Sequence, residues 1–136
     1  MKLYFPILSL FIISCALNAC QENFDTRLKR EARDYTLKHC PQNIEENNVL
    51  DSTTYDIATR TYHRWFTLSG LLDTPESAAA MQNYPEDLKR RLTIELKNAP
   101  DWKECKEQGI NFAYTYRSAR TGKTLFNVRL SKNDYQ

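Results

Sequence analysis

Two stretches near the end of the chain alternate so regularly that they leave little choice of structure. Ile110, Phe112, Tyr114 and Tyr116 interleave with Asn111, Ala113, Thr115 and Arg117, and Thr124, Phe126, Val128 and Leu130 interleave with Leu125, Asn127, Arg129 and Ser131. Successive side chains on a strand point to opposite faces, so each run predicts a strand with one buried and one wetter face. Arg120-Thr121-Gly122-Lys123 supplies the turn between them, with Gly122 free to take a positive φ. A sheet of this kind needs an apolar layer on its buried side, and the rest of the chain must provide it.

The helical pattern lies upstream. Phe24, Leu28, Ala32 and Tyr35 recur at helical spacing among Arg27, Lys29, Arg30, Arg33 and Asp34; Lys38 and His39 suit the negative end of the helix dipole, and Pro41 forces a stop. Val49 to Tyr55 and Thr61 to Ser69 read as two strands joined through Asp56 to Arg60. Thr74 before Pro75 is a helix start, Pro85 interrupts and restarts the helix, and Leu88, Leu92, Leu96 and Ala99 make an apolar stripe that ends at Pro100. A short turn of helix around Trp102 and Cys105 precedes Gly109. The order is helix, hairpin, broken helix, hairpin. It predicts an α+β domain in which a four-stranded antiparallel sheet carries its helices on one face, and a permuted relative of the ferredoxin-like βαββαβ fold is one arrangement that fits.

The first twenty residues stand apart. Met1 and Lys2 lead into the apolar run Leu3 to Ile13, broken by Pro6 and Ser9 and followed by Ser14. That is short of the roughly 20 apolar residues of a spanning helix and fits a cleavable export signal. Leu17-Asn18-Ala19-Cys20 resembles the lipobox of bacterial lipoprotein precursors: an aliphatic residue first, a small one third and a cysteine fourth. The resemblance implies a signal peptide over 1–19, acylation of Cys20 with palmitate-like chains, and a single mature domain over 20–136 on a short tether. It implies a cell-envelope location, lipid-anchored in the outer membrane given Gln21 after the cysteine, facing the periplasm or the cell surface. Two other processing routes fit the same residues: use of Ile12-Ile13-Ser14-Cys15, and ordinary cleavage after Ala19 to release a soluble protein. The segments Leu50-Asp51-Ser52, Leu68-Ser69-Gly70, Tyr114-Thr115-Tyr116-Arg117-Ser118 and Thr121-Gly122-Lys123 resemble small lipoproteins of the Bacteroidetes kind. That resemblance implies no activity and brings no catalytic residue.

If Cys15 leaves with the signal and Cys20 is acylated, Cys40 and Cys105 remain as an even pair in an exported chain. A disulfide is the expectation, and it would close a long loop for about 4 kcal/mol in the chain-entropy view. A metal site made from His39, Cys40 and Cys105 lacks a supporting spacing.

Charge is nearly balanced, 19 Lys+Arg against 17 Asp+Glu, so no strong electrostatic partner is implied. With three glycines in the chain, neither a Gly-x-Gly-x-x-Gly loop nor a P-loop can be built, and Leu68-Ser69-Gly70 lacks the first glycine of a nucleophile elbow. Phe112-Ala113-Tyr114-Thr115-Tyr116 echoes half of an RNA-binding sheet motif without its basic opening, and core packing accounts for it. No catalytic residue, metal, cofactor or nucleic-acid partner is therefore expected.

On the second predicted strand Tyr62, Arg64, Phe66 and Leu68 share one face, and Thr61, His63, Trp65 and Thr67 share the other. Aromatic and arginine side chains dominate interface energetics, which makes Tyr62, His63, Arg64 and Trp65 the candidate binding residues. The favoured reading is a non-enzymatic interaction module tethered to the membrane that binds an envelope protein or glycan. The alternatives are an inhibitor or immunity protein against a secreted enzyme, or a small hydrolase with a site assembled from scattered residues. Labelled fatty acid is expected to enter the protein, to be lost in Cys20→Ala and to be kept in Cys15→Ala; unlabelled mature protein contradicts the lipoprotein reading.

Overall fold

The structure, a computed structural model, describes residues 22–136; the signal segment, Cys15 and Cys20 lie outside the described residues. Helix α1 (Phe24–His39) begins where the Asn23 side chain accepts the Thr26 N–H at 2.9 Å and buries Leu28 and Ala32. Strands β1 (Gln42–Glu45), β2 (Asn48–Asp56) and β3 (Thr61–Leu68) follow as an antiparallel meander. The chain then crosses over through α2 (Pro75–Ala80), α3 (Tyr84–Asn98) and α4 (Lys103–Glu107). It returns in β4 (Asn111–Ser118), which pairs in parallel with β3, and closes with β5 (Thr124–Leu130) antiparallel to β4 and a last turn of helix, α5 (Lys132–Tyr135).

The helix signals in the sequence correspond to real boundaries. Thr74 and Ser77 form a reciprocal capping box at the start of α2, with Pro75 in its first turn. Pro85 sits in the first turn of α3, and Pro100 opens the 3-10 turn that follows its C-cap. Gly122 takes φ +71 in the β4–β5 turn, where an added Cβ would meet nothing.

The sheet corrects the sequence expectation in two ways. It has five strands in the order β1-β2-β3-β4-β5, and it is mixed because β3 and β4 run parallel. Strand β1 carries Gln42, Asn43 and Glu45 and is mostly exposed, so no apolar alternation marks it. A permuted ferredoxin-like sheet would insert β5 between β3 and β4; here β4 pairs directly with β3, which excludes that arrangement. The one-sided helical layer is present. Leu28 and Ala32 of α1, Leu88 and Leu96 of α3, Cys105 of α4 and Tyr135 of α5 join one core with Leu50, Tyr55, Tyr62, Phe66, Phe112, Tyr114, Tyr116 and Val128 from the strands.

Helix α1 also protects the sheet's outer margin. Because β1 pairs only with the start of β2, the backbone of Thr53 faces away from β3 without a strand partner. The Thr36 hydroxyl fills the gap, accepting the Thr53 N–H at 2.7 Å and lying 3.0 Å from the Thr53 carbonyl. The Thr53 hydroxyl in turn donates to the Ala32 carbonyl at 2.6 Å. An edge covered in this way is a poor template for a foreign strand.

The expected Cys40–Cys105 disulfide is absent: both thiols are free. Cys40 follows the C-terminal end of α1, whereas Cys105 lies on α4 beside the opposite half of that helix, where Glu104 pairs with Arg27 and Glu31 is near. The stretch of helix between Glu31 and Cys40 is about 13 Å long, beyond the roughly 7 Å Cα separation that a disulfide spans. Sequence spacing carries no information about which end of α1 the short helix α4 meets. Burial pushes the Cys105 thiol up to about 11 and raises Cys40 as well, which leaves little reactive thiolate. Purified mature protein is expected to show Cys40 and Cys105 as free thiols in denaturant, with Cys105 reacting only on unfolding; no free thiol in denaturant contradicts this arrangement.

Candidate functional site

Strand β3 runs through the middle of the sheet, and its alternation sends the four candidate residues to opposite sides. Tyr62 is 6% exposed and packs edge-on against Trp102, with ring centroids 4.9 Å apart. Arg64 also faces the helices, half-buried, with its guanidinium 5.5 Å from the centre of the Phe66 ring. Both line a cleft of about 460 Å³ between α1 and the Trp102–Cys105 segment. Tyr62 and Arg64 are therefore not part of a shared surface with His63 and Trp65, a correction that follows from the two-residue period of the strand.

His63 and Trp65 stand on the other side, which no helix among the described residues covers. Their rings stack at 3.7 Å with an interplanar angle of 9°. Arg117 of β4 places its guanidinium 4.6 Å from the Trp65 ring centre. Arg117 pairs with Thr67, two residues beyond Trp65 and away from His63, so Trp65 is held between an imidazole and a guanidinium. Its indole N–H donates to Thr54 Oγ1 at 3.1 Å, and His63 Nε2 lies 2.7 Å from Thr115 Oγ1. The three side chains form a ridge across β3 and β4, and a shallow hollow of about 320 Å³ opens beside it, reached by Thr54, Asp56, Thr61 and Arg129.

Arg129, opposite Ala113 on β5, completes the site. Arg117 and Arg129 are exposed and neither has an ion-pair partner among the described residues. Burial, then Arg129, then Arg117 lower the His63 pKa to about 4. The imidazole is thus neutral at physiological pH. A hydroxyl at hydrogen-bond distance from an imidazole is the start of a nucleophile–base pair, but cationic neighbours make His63 a weak base, which works against that chemistry. Among the described residues no group of three or more His, Cys, Asp or Glu could hold a metal ion.

The alternation of β4 and β5 already set Arg117 and Arg129 on the wetter side. What the sequence lacked was the order of the strands, without which their approach to His63 and Trp65 could not be seen.

Residues 23–126 match DUF8479, a domain of unknown function, and this span runs from the cap of α1 into β5. The chain belongs to the DUF8479 family. No curated protein matches it. A solved structure of a protein from Pseudomonas aeruginosa, assigned as secreted, shares the fold of this DUF8479 chain with a TM-score of 0.67 at 12% identity, covering 82% of this chain and 92% of that one. At that identity the likeness concerns the fold alone.

The low His63 pKa has a consequence for stability. Unfolded His63 takes up a proton near 6.5 and folded His63 only near 4, so between those values the unfolded state binds more protons and stability falls as pH falls. Thermal melts are expected to show a decline from pH 7 to pH 4, and His63→Gln should flatten it; an unchanged slope in the variant contradicts the neutral, stacked imidazole.

Proposed function

We propose that this DUF8479 protein is a lipoprotein of the bacterial envelope, anchored through Cys20 in the outer membrane, and that it works as a non-enzymatic binding module whose contact surface is the open face of the sheet. The observation that carries the reading is the His63–Trp65–Arg117 ridge. A half-buried indole and two unpaired guanidiniums are kept at the centre of a face that the fold leaves uncovered, and Trp and Arg are the side chains that contribute most at binding surfaces. The ridge is also ordered before any partner arrives: stacking and the bonds to Thr54 and Thr115 fix its side chains, which lowers the entropy cost of binding. The lipid anchor rests on the Leu17-Asn18-Ala19-Cys20 pattern. Among the described residues no helix is long and apolar enough to cross a membrane.

A photocrosslinking residue introduced at exposed Asn127 of β5, in intact cells, is expected to yield a discrete protein or glycan adduct. The same residue at exposed Lys97 of α3, on the helical side, is expected to yield none. The adduct should weaken several-fold in His63→Ala/Trp65→Ala. Capture from the Lys97 position alone, or capture indifferent to the double variant, contradicts the proposed face.

A further inference from the structure

The chemistry of the open face selects among partners. Trp65 has both ring faces occupied, one by His63 at 3.7 Å and the other by the Arg117 guanidinium at 4.6 Å, so it offers no flat platform on which a neutral sugar ring could stack. Charge must supply the attraction instead, and carboxylates and guanidiniums share this face, Asp56 lining the hollow together with Arg129. On β2 the carboxylates are held locally: Asp51 accepts the Thr67 hydroxyl at 2.6 Å and Asp56 accepts the Ala58 N–H at 2.9 Å. On β4 and β5 Arg117 and Arg129 are exposed, with no carboxylate partner among the described residues. In the strand register Arg129 sits opposite Ala113, which puts the two guanidinium-bearing positions about 13 Å apart along the strands. A chain that repeats its negative charge can engage both positions at once.

Around the ridge Thr54 and Asn127 are exposed polar groups, whereas Thr61 and Thr115 lie buried at its base. Besides Trp65, Ala113 is the apolar side chain at its centre, and it is buried beneath its neighbours. The sandwiched Trp65 indole and the buried Ala113 leave this surface without the broad apolar core on which protein–protein contacts are built. Resting on the reading of the open face as the contact surface, we infer that its ligand is an acidic polysaccharide, laid across β4 and β5 with Arg117 and Arg129 engaging separate carboxylates of one chain. Asn127, beside Thr115 and between the two arginine positions, meets sugar hydroxyls. Neutral His63 sits where a third positive charge would be repelled by the two guanidiniums, and a bound polyanion reverses that repulsion.

The test uses the mature lipidated protein in detergent with three probes: oligogalacturonate, neutral dextran of similar length, and poly-glutamate. Oligogalacturonate is expected to bind, to weaken steeply with added salt, and to raise the His63 pKa read by NMR above its free value of about 4. Dextran is expected not to bind, and poly-glutamate to bind at least tenfold more weakly. Arg117→Gln/Arg129→Gln should lower oligogalacturonate affinity at least tenfold without lowering the melting temperature, and Asn127→Ala should lower it several-fold. Poly-glutamate binding as tightly as oligogalacturonate overturns the inference in favour of an acidic protein partner, and dextran binding overturns the charge argument. Binding unaffected by the double arginine variant, or no binding of any probe, also overturns it. If the probes fail while crosslinking from Asn127 still depends on His63 and Trp65, the polysaccharide alone is excluded; if that dependence is lost too, the contact face itself is wrong.

Discussion

Parallel pairing of β3 with β4, from Thr61 opposite Asn111 to Leu68 opposite Ser118, sets the layout of the whole molecule. Two neighbouring parallel strands cannot be joined by a tight turn; the chain has to travel back over the sheet before the second strand begins. Here the return path is α2, α3 and α4, and Leu88 and Leu96 of α3 and Cys105 of α4 enter the same core as Leu28 and Ala32 of α1. Among the described residues the helical layer therefore lies on one side of the five strands. The uncovered side is a product of connectivity, and it is where the polar members of each alternating strand come together.

The covered side is held by a continuous run of aromatic contacts. Phe66 stacks on Tyr116 at 4.6 Å and Tyr116 on Phe126 at 4.7 Å, joining the three central and outer strands β3, β4 and β5. Tyr62, Trp102, Phe112 and Tyr135 form a second group that ties β3 and β4 to the crossover and to α5, and the Tyr135 hydroxyl donates to the Ile110 carbonyl at 2.7 Å. Pairs of this kind contribute about 0.5–1.5 kcal/mol each beyond the area they bury. At the far margin the Thr36 hydroxyl satisfies the Thr53 backbone, where an unpaired N–H would cost about 1–3 kcal/mol. Strong packing on one side is what allows the other side to carry exposed guanidiniums and a half-buried indole.

Local signals in the sequence were legible and long-range ones were not. The stop at Pro41 and the Thr74-Pro75 start act within a few residues and appear in the structure where the sequence put them, whereas in β4 the expected wetter face keeps Arg117 exposed but buries Ala113 and Thr115. Strand β1 was hidden because its pairing with β2 depends on a neighbour and not on its own polar residues. Direction and order of the strands were hidden for the same reason, and with them the approach of Arg117 to Trp65. The Cys40–Cys105 expectation failed because counting thiols says nothing about which end of a helix each one meets. Tyr62 and Arg64 shared the composition of a binding surface with His63 and Trp65, yet the strand's own parity had already placed them on the packed side.

The open face is free in the isolated protein and, with its partner bound, covered in the cell. Hydroxyl-radical footprinting, comparing the purified protein with the same protein in intact cells, reads that difference at single side chains. Trp65 is expected to be labelled in the purified protein and protected in cells, while Tyr62, Phe66 and Tyr116 stay protected in both. Equal labelling of Trp65 in the two settings, or labelling of Tyr116 in the folded purified protein, would contradict this arrangement.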